Sequence, residues 1–205
     1  MQHLLNKLTE DISKLGLIPD EDKTRQLLSY IELLIKWNKT YSLTAINNIN
    51  DILKYHILDG LAVVPYLEQF INIIDIGSGM GVPGIILAIW QPKLKVSVLD
   101  SNSKKTAFLQ QVKIELNLAN LSVINSRVEE YDPVDKFDIA ISRAFSSSQI
   151  FINLVTRLIK PGGFLMLMKG QNINDELKFL TNRYVIIDLD IPKISEKRFL
   201  LKIEA

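Results

Sequence analysis

Three glycines at alternate positions, Gly77, Gly79 and Gly81, follow an acid, Asp75, and a second acid, Asp100, stands 23 residues beyond the first of them. Glycines so spaced permit positive φ and let backbone N–H groups approach a ligand with no Cβ in the way. A carboxylate at the end of the following strand can accept two hydrogen bonds from a ribose diol. The chemistry suited to this set is the holding of a nucleoside-like cofactor. A glycine turn alone is a weak signal, more often just a turn, so the surrounding elements decide its weight.

Those elements fit. Ile71 to Ile76 is an apolar, β-branched run that suits a strand buried on both faces. After the glycines, Pro83 suits the first turn of a helix that Ile85, Ile86, Leu87 and Ile89 carry back along a sheet. Lys95 to Asp100 reads as a second strand; as an alternative to the ribose role, Asp100 or Ser101 could cap the next helix, Ser103 to Leu116. Leu121–Ile124, Phe137–Ser142 and Phe164–Met168 follow as strands, the last after a Pro161-Gly162-Gly163 turn. Tyr184–Ile191 and Phe199–Ile203 are too close for a helical crossover and must pair antiparallel. The expected fold is α/β, a Rossmann-like sheet of seven strands with helices on both faces.

Before the sheet, helices are expected over 2 to 15, from an Asp20 cap to about Lys39, and from Ile49 to Leu67, with Pro65 near the last end. The predicted organisation is a helical extension over 1–68 packed on a core of 69–205. Trp37 to Thr44 is rich in hydrogen-bonding groups; a helix end with a packed Trp and a capping Asn accounts for it on residues alone. His56 and Asp59 stand three apart on one helical face, as a structural pair or as a base with its orienting carboxylate.

The composition excludes several chemistries. There are no cysteines and two histidines among 205 residues, which removes disulfides, thiolate metal sites and a thiol nucleophile and leaves little for zinc. No apolar run approaches the roughly 18 residues of a membrane span, so a soluble, cytoplasmic protein is expected. With a net charge of +1, a nucleic-acid partner requires basic residues gathered on one face.

Two cofactors compete for the turn. A dinucleotide G-x-G-x-x-G can be framed only from Gly79, Gly81 and Gly84, further from the strand than such a turn normally begins. Asp75 is unfavourable to a pyrophosphate and favourable to a cation, so S-adenosylmethionine, with its sulfonium and ammonium, suits the turn better.

Asp75-Ile76-Gly77-Ser78-Gly79-Met80-Gly81 resembles motif I of the class I methyltransferases. Over nearly its whole length the chain is similar to the RsmG (GidB) family of bacterial 16S rRNA guanine-N7 methyltransferases. The resemblance is carried by Lys36-Trp37-Asn38-Lys39 with Leu43-Thr44, His56-Ile57-Leu58-Asp59, Asp75 to Gly84, Leu99-Asp100-Ser101, Phe108-Leu109, Ser126 to Glu130, Ile141-Ser142-Arg143-Ala144 and Met168-Lys169-Gly170. Gly60 departs from it, standing where the family has a serine.

What the resemblance implies is methyl transfer from S-adenosylmethionine to N7 of a guanine in 16S rRNA or the small ribosomal subunit, by a protein expected to be a monomer without metal or membrane. Methylation of another RNA or a small molecule is the alternative. Carried over by motif, Gly77, Gly79 and Val82 line the cofactor, with Gly77 and Val82 on its methionine side and Asp75 nearby. Asp100 holds the ribose, Val128 and Glu129 flank the adenine, and Arg143 faces the cofactor or the incoming base. On residues alone, Glu129 reads equally as a surface helix acid and Arg143 as a salt-bridge partner. Guanine N7 carries no proton, so no general base is needed. Lys36, Lys39, Lys54, Arg143 and Lys169 are candidate RNA contacts. A nicotinamide-dependent oxidoreductase, or an RNA-binding module that merely keeps the fold, are the competing classes; the second predicts a damaged glycine turn, and this turn is intact.

Overall fold

The computed structural model describes residues 2–143, 145, 147–170, 173, 177–178 and 180–205. Helix α1 (Gln2–Lys14) buries Leu5, Leu8 and Ile12. Helix α2 (Glu21–Tyr41) starts where the Asp20 carboxylate accepts the Lys23 N–H, the cap expected from the sequence.

The third helical stretch is not one helix. It runs as α3 (Ile49–Ile52), a π turn (Leu53–Leu58), α4 (Asp59–Leu61) and a 3₁₀ turn (Val64–Tyr66). Pro65, with no N–H to donate, cannot extend an α-helix here. Gly60 is buried, and a Cβ on it would stand 2.6 Å from Ile86 Cδ1, so the missing side chain lets α4 lie close to the helix behind the glycine turn.

The sheet has the order β3-β2-β1-β4-β5-β7-β6. Strands β1 (Asn72–Ile76), β2 (Lys95–Asp100), β3 (Leu121–Asn125), β4 (Phe137–Ser142) and β5 (Ile159–Lys169) are parallel. Strands β6 (Tyr184–Leu189) and β7 (Arg198–Glu204) form the antiparallel hairpin, with β7 against β5. Strand β5 begins earlier than expected, because Pro161-Gly162-Gly163 lies inside it as an irregularity opposite β4 rather than before it. Gly163 permits this: a Cβ there would meet the Asp138 carbonyl at 2.5 Å.

Alternation along β1 divides the interior. Ile73 belongs to the core shared with α1, α2, α5 (Gly84–Trp90) and α6 (Ser103–Glu115), whereas Ile74 and Ile76 belong to the core on the other face, with α7 (Ser148–Val155). Asp75 therefore falls on the α5 side, beneath the turn. No helix among the described residues is long and apolar enough to cross a membrane.

Candidate functional site

The turn after β1 is built as its glycines suggest. Gly77, Gly79 and Gly81 have φ of 68°, 60° and 98°, all in the left-handed region. Gly77 and Ser78 donate their N–H groups to the Leu99 carbonyl at the end of β2. A Cβ on Gly77 would meet nothing within 4 Å, so this face of the turn opens to space a ligand can fill. Gly81 and Gly84 serve packing instead: a Cβ on the first would strike Ile85 and Leu109, and on the second Val98 and the Asp75 carboxylate. Val82 is buried beside them.

Both acids brace the turn. Asp100 Oδ2 accepts the Gly79 N–H at 2.9 Å and Oδ1 accepts the Asn102 N–H at 2.9 Å, with Lys105 Nζ 3.8 Å away. Neither Asp100 nor Ser101 caps α6; Asn102 does, its side chain accepting from Lys104 and Lys105. Asp75 Oδ2 accepts the Gly84 N–H at 2.8 Å, while its buried Oδ1 has no hydrogen-bond partner among the described residues. Burial pushes its carboxyl up to about 7; the Gly84 N–H and Arg143 oppose that shift, and Asp100 adds to it. An acid held near neutrality with a spare oxygen suits a cationic ligand better than a phosphate. The donor set thus fits S-adenosylmethionine: open glycines, a ribose-type acid whose two oxygens keep lone pairs, and a second acid to meet positive charge.

Helix α2 reaches this turn as well. Tyr30, buried in α2, donates its hydroxyl to the Met80 carbonyl at 2.9 Å, a contact no motif announced. Val128 is buried and Glu129 exposed, in a turn rather than a helix, with Arg157 Nη2 donating to both carbonyls.

Next to the turn, at the carboxyl ends of β4 and β5, lies a cavity of about 460 Å³ whose lining includes Tyr55, His56, Asp59, Arg143, Arg198 and Phe199. Ser142 ties the two regions together, donating to the Ile76 carbonyl at 2.8 Å. Arg143 Nη1 donates to the Tyr55 carbonyl at 2.9 Å and to His56 Nδ1 at 3.3 Å, and lies 3.5 Å from Asp59 Oδ2. Arg198 Nε is 3.7 Å from the other oxygen of Asp59. His56 and Asp59 are thus joined through Arg143, not as the base-and-carboxylate pair their spacing allows. Burial, then the Arg143 charge, lowers the His56 pKa to about 4; burial raises that of Asp59 against the opposing pull of Arg143 and Arg198.

The polar stretch after Trp37 supports this cluster from behind. Asn38 accepts the Thr44 N–H at 2.9 Å and donates to the Thr44 carbonyl at 2.9 Å, and Thr44 Oγ1 is 3.1 Å from His56 Nε2. Trp37 packs on Tyr41 and Phe108. Of the proposed RNA contacts, Lys36 and Lys39 are exposed on α2, Lys54 lies over the Tyr55 ring, and Lys169 lines the cavity. Ala144 falls outside the described residues. Arg198 belongs to no local pattern in the sequence, and Tyr55 has only its place beside His56.

A family model described as GidB, rRNA small subunit methyltransferase G, matches residues 23–200. A relative from Pseudomonas aeruginosa (strain UCBPP-PA14), named ribosomal RNA small subunit methyltransferase G, is 45% identical over 203 residues, covering 98% of this chain and 95% of its own length. A relative of the same name from Hydrogenovibrio crunogenus is 44% identical, covering 92% and 88%. Among solved structures, a SAM dependent methyltransferase from Aquifex aeolicus superposes with a TM-score of 0.60 at 15% identity, over 79% of this chain and 96% of that one. An rRNA methylase from Streptococcus thermophilus gives 0.50 at 20% identity, over 72% and 92%. At such identities these two speak to the fold alone.

Proposed function

The chain belongs to the rRNA small subunit methyltransferase G family, and from that premise we propose that it transfers a methyl group from S-adenosylmethionine to N7 of one guanine in 16S rRNA of the small ribosomal subunit. The observation that carries the cofactor half of this reading is the open glycine turn braced by Asp100, with the unpartnered oxygen of Asp75 beneath it.

When bound, S-adenosylmethionine supplies an electrophilic methyl group. Gly77, Gly79 and Val82 would line it, Asp75 would face its positive charge, Asp100 would hold the ribose hydroxyls, and Val128 with Glu129 would flank the adenine. Arg143 lines the cavity, within electrostatic reach of Asp75 and in contact with His56, and would orient the incoming base. No residue need accept a proton before transfer, because guanine N7 already carries a free lone pair. Positioning is then the main contribution of the protein, worth up to roughly 7–11 kcal/mol where alignment is good. In this reading residues 1–68 act as a cap that steadies the turn through Tyr30 and the base cavity through Asn38, Thr44 and His56.

Mass spectrometry of 16S rRNA from a strain lacking the protein tests the reading. Loss of one 7-methylguanosine, restored by the wild-type gene and not by a Gly77→Val variant, is the expected result; unchanged 7-methylguanosine would refute it.

A further inference from the structure

The cavity beside Arg143 pairs donors and an acceptor in a way that transfer to N7 does not by itself require. Asp59 is the one carboxylate among its described lining residues, and two guanidinium groups converge on it at 3.5 and 3.7 Å. Arg143 is near enough to hydrogen-bond one oxygen and Arg198 pairs with the other at longer range, so each carboxylate oxygen keeps a lone pair to accept with. A buried ion pair is weak evidence of a stability role, since its desolvation offsets most of its attraction. A carboxylate set between two donors in the lining of a cavity that also holds Tyr55 and Phe199 can instead be read as a template for a ligand with complementary edges.

Guanine has such edges. N1–H and the N2 amino group donate from one, and O6 and N7 accept on the other. A carboxylate can take both donors, while a guanidinium can only donate. N7 must stay uncovered if it is to react, which leaves O6 for a guanidinium on the N1 side of the carboxylate. Adenine fails at both edges, presenting an amino donor where guanine has O6 and an acceptor where guanine has N1–H. Tyr55 and Phe199 line the cavity and offer rings on which an unstacked base could rest.

We propose that Asp59 reads the Watson–Crick edge of the target guanine in this cavity, with Arg143 toward its O6, and so sets the choice of base. This rests on the methyl-transfer reading above and adds a specificity-determining residue to it.

The test changes the base before it changes the protein. Small subunits are reconstituted with 16S rRNA in which the target guanosine is replaced by inosine, which keeps N7, O6 and N1–H and lacks only the N2 amino group. At saturating S-adenosylmethionine, wild-type kcat/KM is expected to fall about 10- to 100-fold on inosine, the scale of a lost hydrogen bond to a charged group. Asp59→Ala should treat the two bases within about threefold of each other while its affinity for S-adenosylmethionine is unchanged. Equal wild-type rates on guanosine and inosine would overturn the proposal, as they would if the cavity held a backbone phosphate; so would a folded Asp59→Ala variant that kept the discrimination. Should that variant not fold, Asp59→Asn takes its place, and an undiminished guanosine-to-inosine ratio in that folded variant would overturn the proposal. A folded wild-type protein that bound S-adenosylmethionine yet methylated neither base would overturn the parent reading, and this one with it.

Discussion

Nδ1 of His56 lies 3.3 Å from Nη1 of Arg143. A guanidinium has no acceptor, so the ring nitrogen must accept, which leaves the proton of the neutral imidazole on Nε2, facing Thr44 Oγ1 at 3.1 Å. Both nitrogens are therefore engaged, and burial together with the Arg143 charge keeps the ring neutral down to about pH 4. His56 positions Arg143 and has no free nitrogen with which to act as a base.

This arrangement predicts a single-turnover rate, at saturating S-adenosylmethionine, that does not titrate near the ordinary histidine pKa of ~6.5. The same group appears in stability. Its folded pKa is depressed, so it favours the fold fully above about pH 6.5 and that contribution is lost as pH falls toward 4. Linkage puts the loss between pH 7 and 4.5 at about 2–3 kcal/mol. Denaturant unfolding at those two pH values should show a drop larger by this amount in wild type than in His56→Gln; equal drops would contradict the assignment.

Asp75 predicts a pH-dependent cofactor affinity. Its folded pKa of about 7 lies above the unfolded value, so the fold favours its protonated form and this contribution to stability is lost as pH rises from about 4 through 7. A cationic ligand reverses the preference by favouring the carboxylate. Calorimetry should find S-adenosylmethionine binding about tenfold tighter at pH 8 than at pH 6, with proton release near neutrality. Asp75→Asn should bind weakly and without that dependence, and a flat wild-type profile would separate Asp75 from the cofactor.

Two glycines of the turn should fail differently. Gly77→Ala places a Cβ in open space at a cost of about 1–2 kcal/mol for the left-handed backbone, so the variant should fold and lose S-adenosylmethionine affinity. Gly84→Ala drives a methyl into Val98 Cγ1 and to 2.8 Å from Asp75 Oδ2, and should lower the melting temperature first. Unchanged affinity in folded Gly77→Ala would move the cofactor elsewhere.

Tyr30→Phe should reveal how the cap steadies the turn. Losing the hydroxyl leaves the Met80 carbonyl without its donor, at a cost of about 1–3 kcal/mol in stability. KM for S-adenosylmethionine should rise while KM for the small subunit does not. A shift in the latter alone would place the effect outside the turn.

RNA affinity should weaken with salt through Lys36, Lys39, Lys54 and Lys169. Each phosphate contact contributes about 0.7–0.9 to the slope of log affinity against log salt. Alanine variants at Lys36 and Lys39, exposed on α2, should lower the slope by that amount and leave S-adenosylmethionine binding unchanged; an unaltered slope would remove them from the interface.

The sequence by itself determined the features set by neighbours along the chain. The β-branched runs placed the strands, Asp20 capped α2, the glycines chose positive φ, and the short gap before Phe199 made the last pair antiparallel. Each follows from backbone geometry within a few residues. The α6 cap at Asn102, the π turn over Leu53–Leu58 and the Pro161-Gly162-Gly163 irregularity were local in position but depended on what packs or pairs opposite them. The cavity was decided by tertiary structure alone. Asp59, Arg143 and Arg198 are separated by dozens of residues and meet because β5 stands between β4 and β7, bringing the end of one strand and the start of another to the same edge. A lone arginine opening the last strand carries no pattern, since only burial beside a distant carboxylate gives it a role.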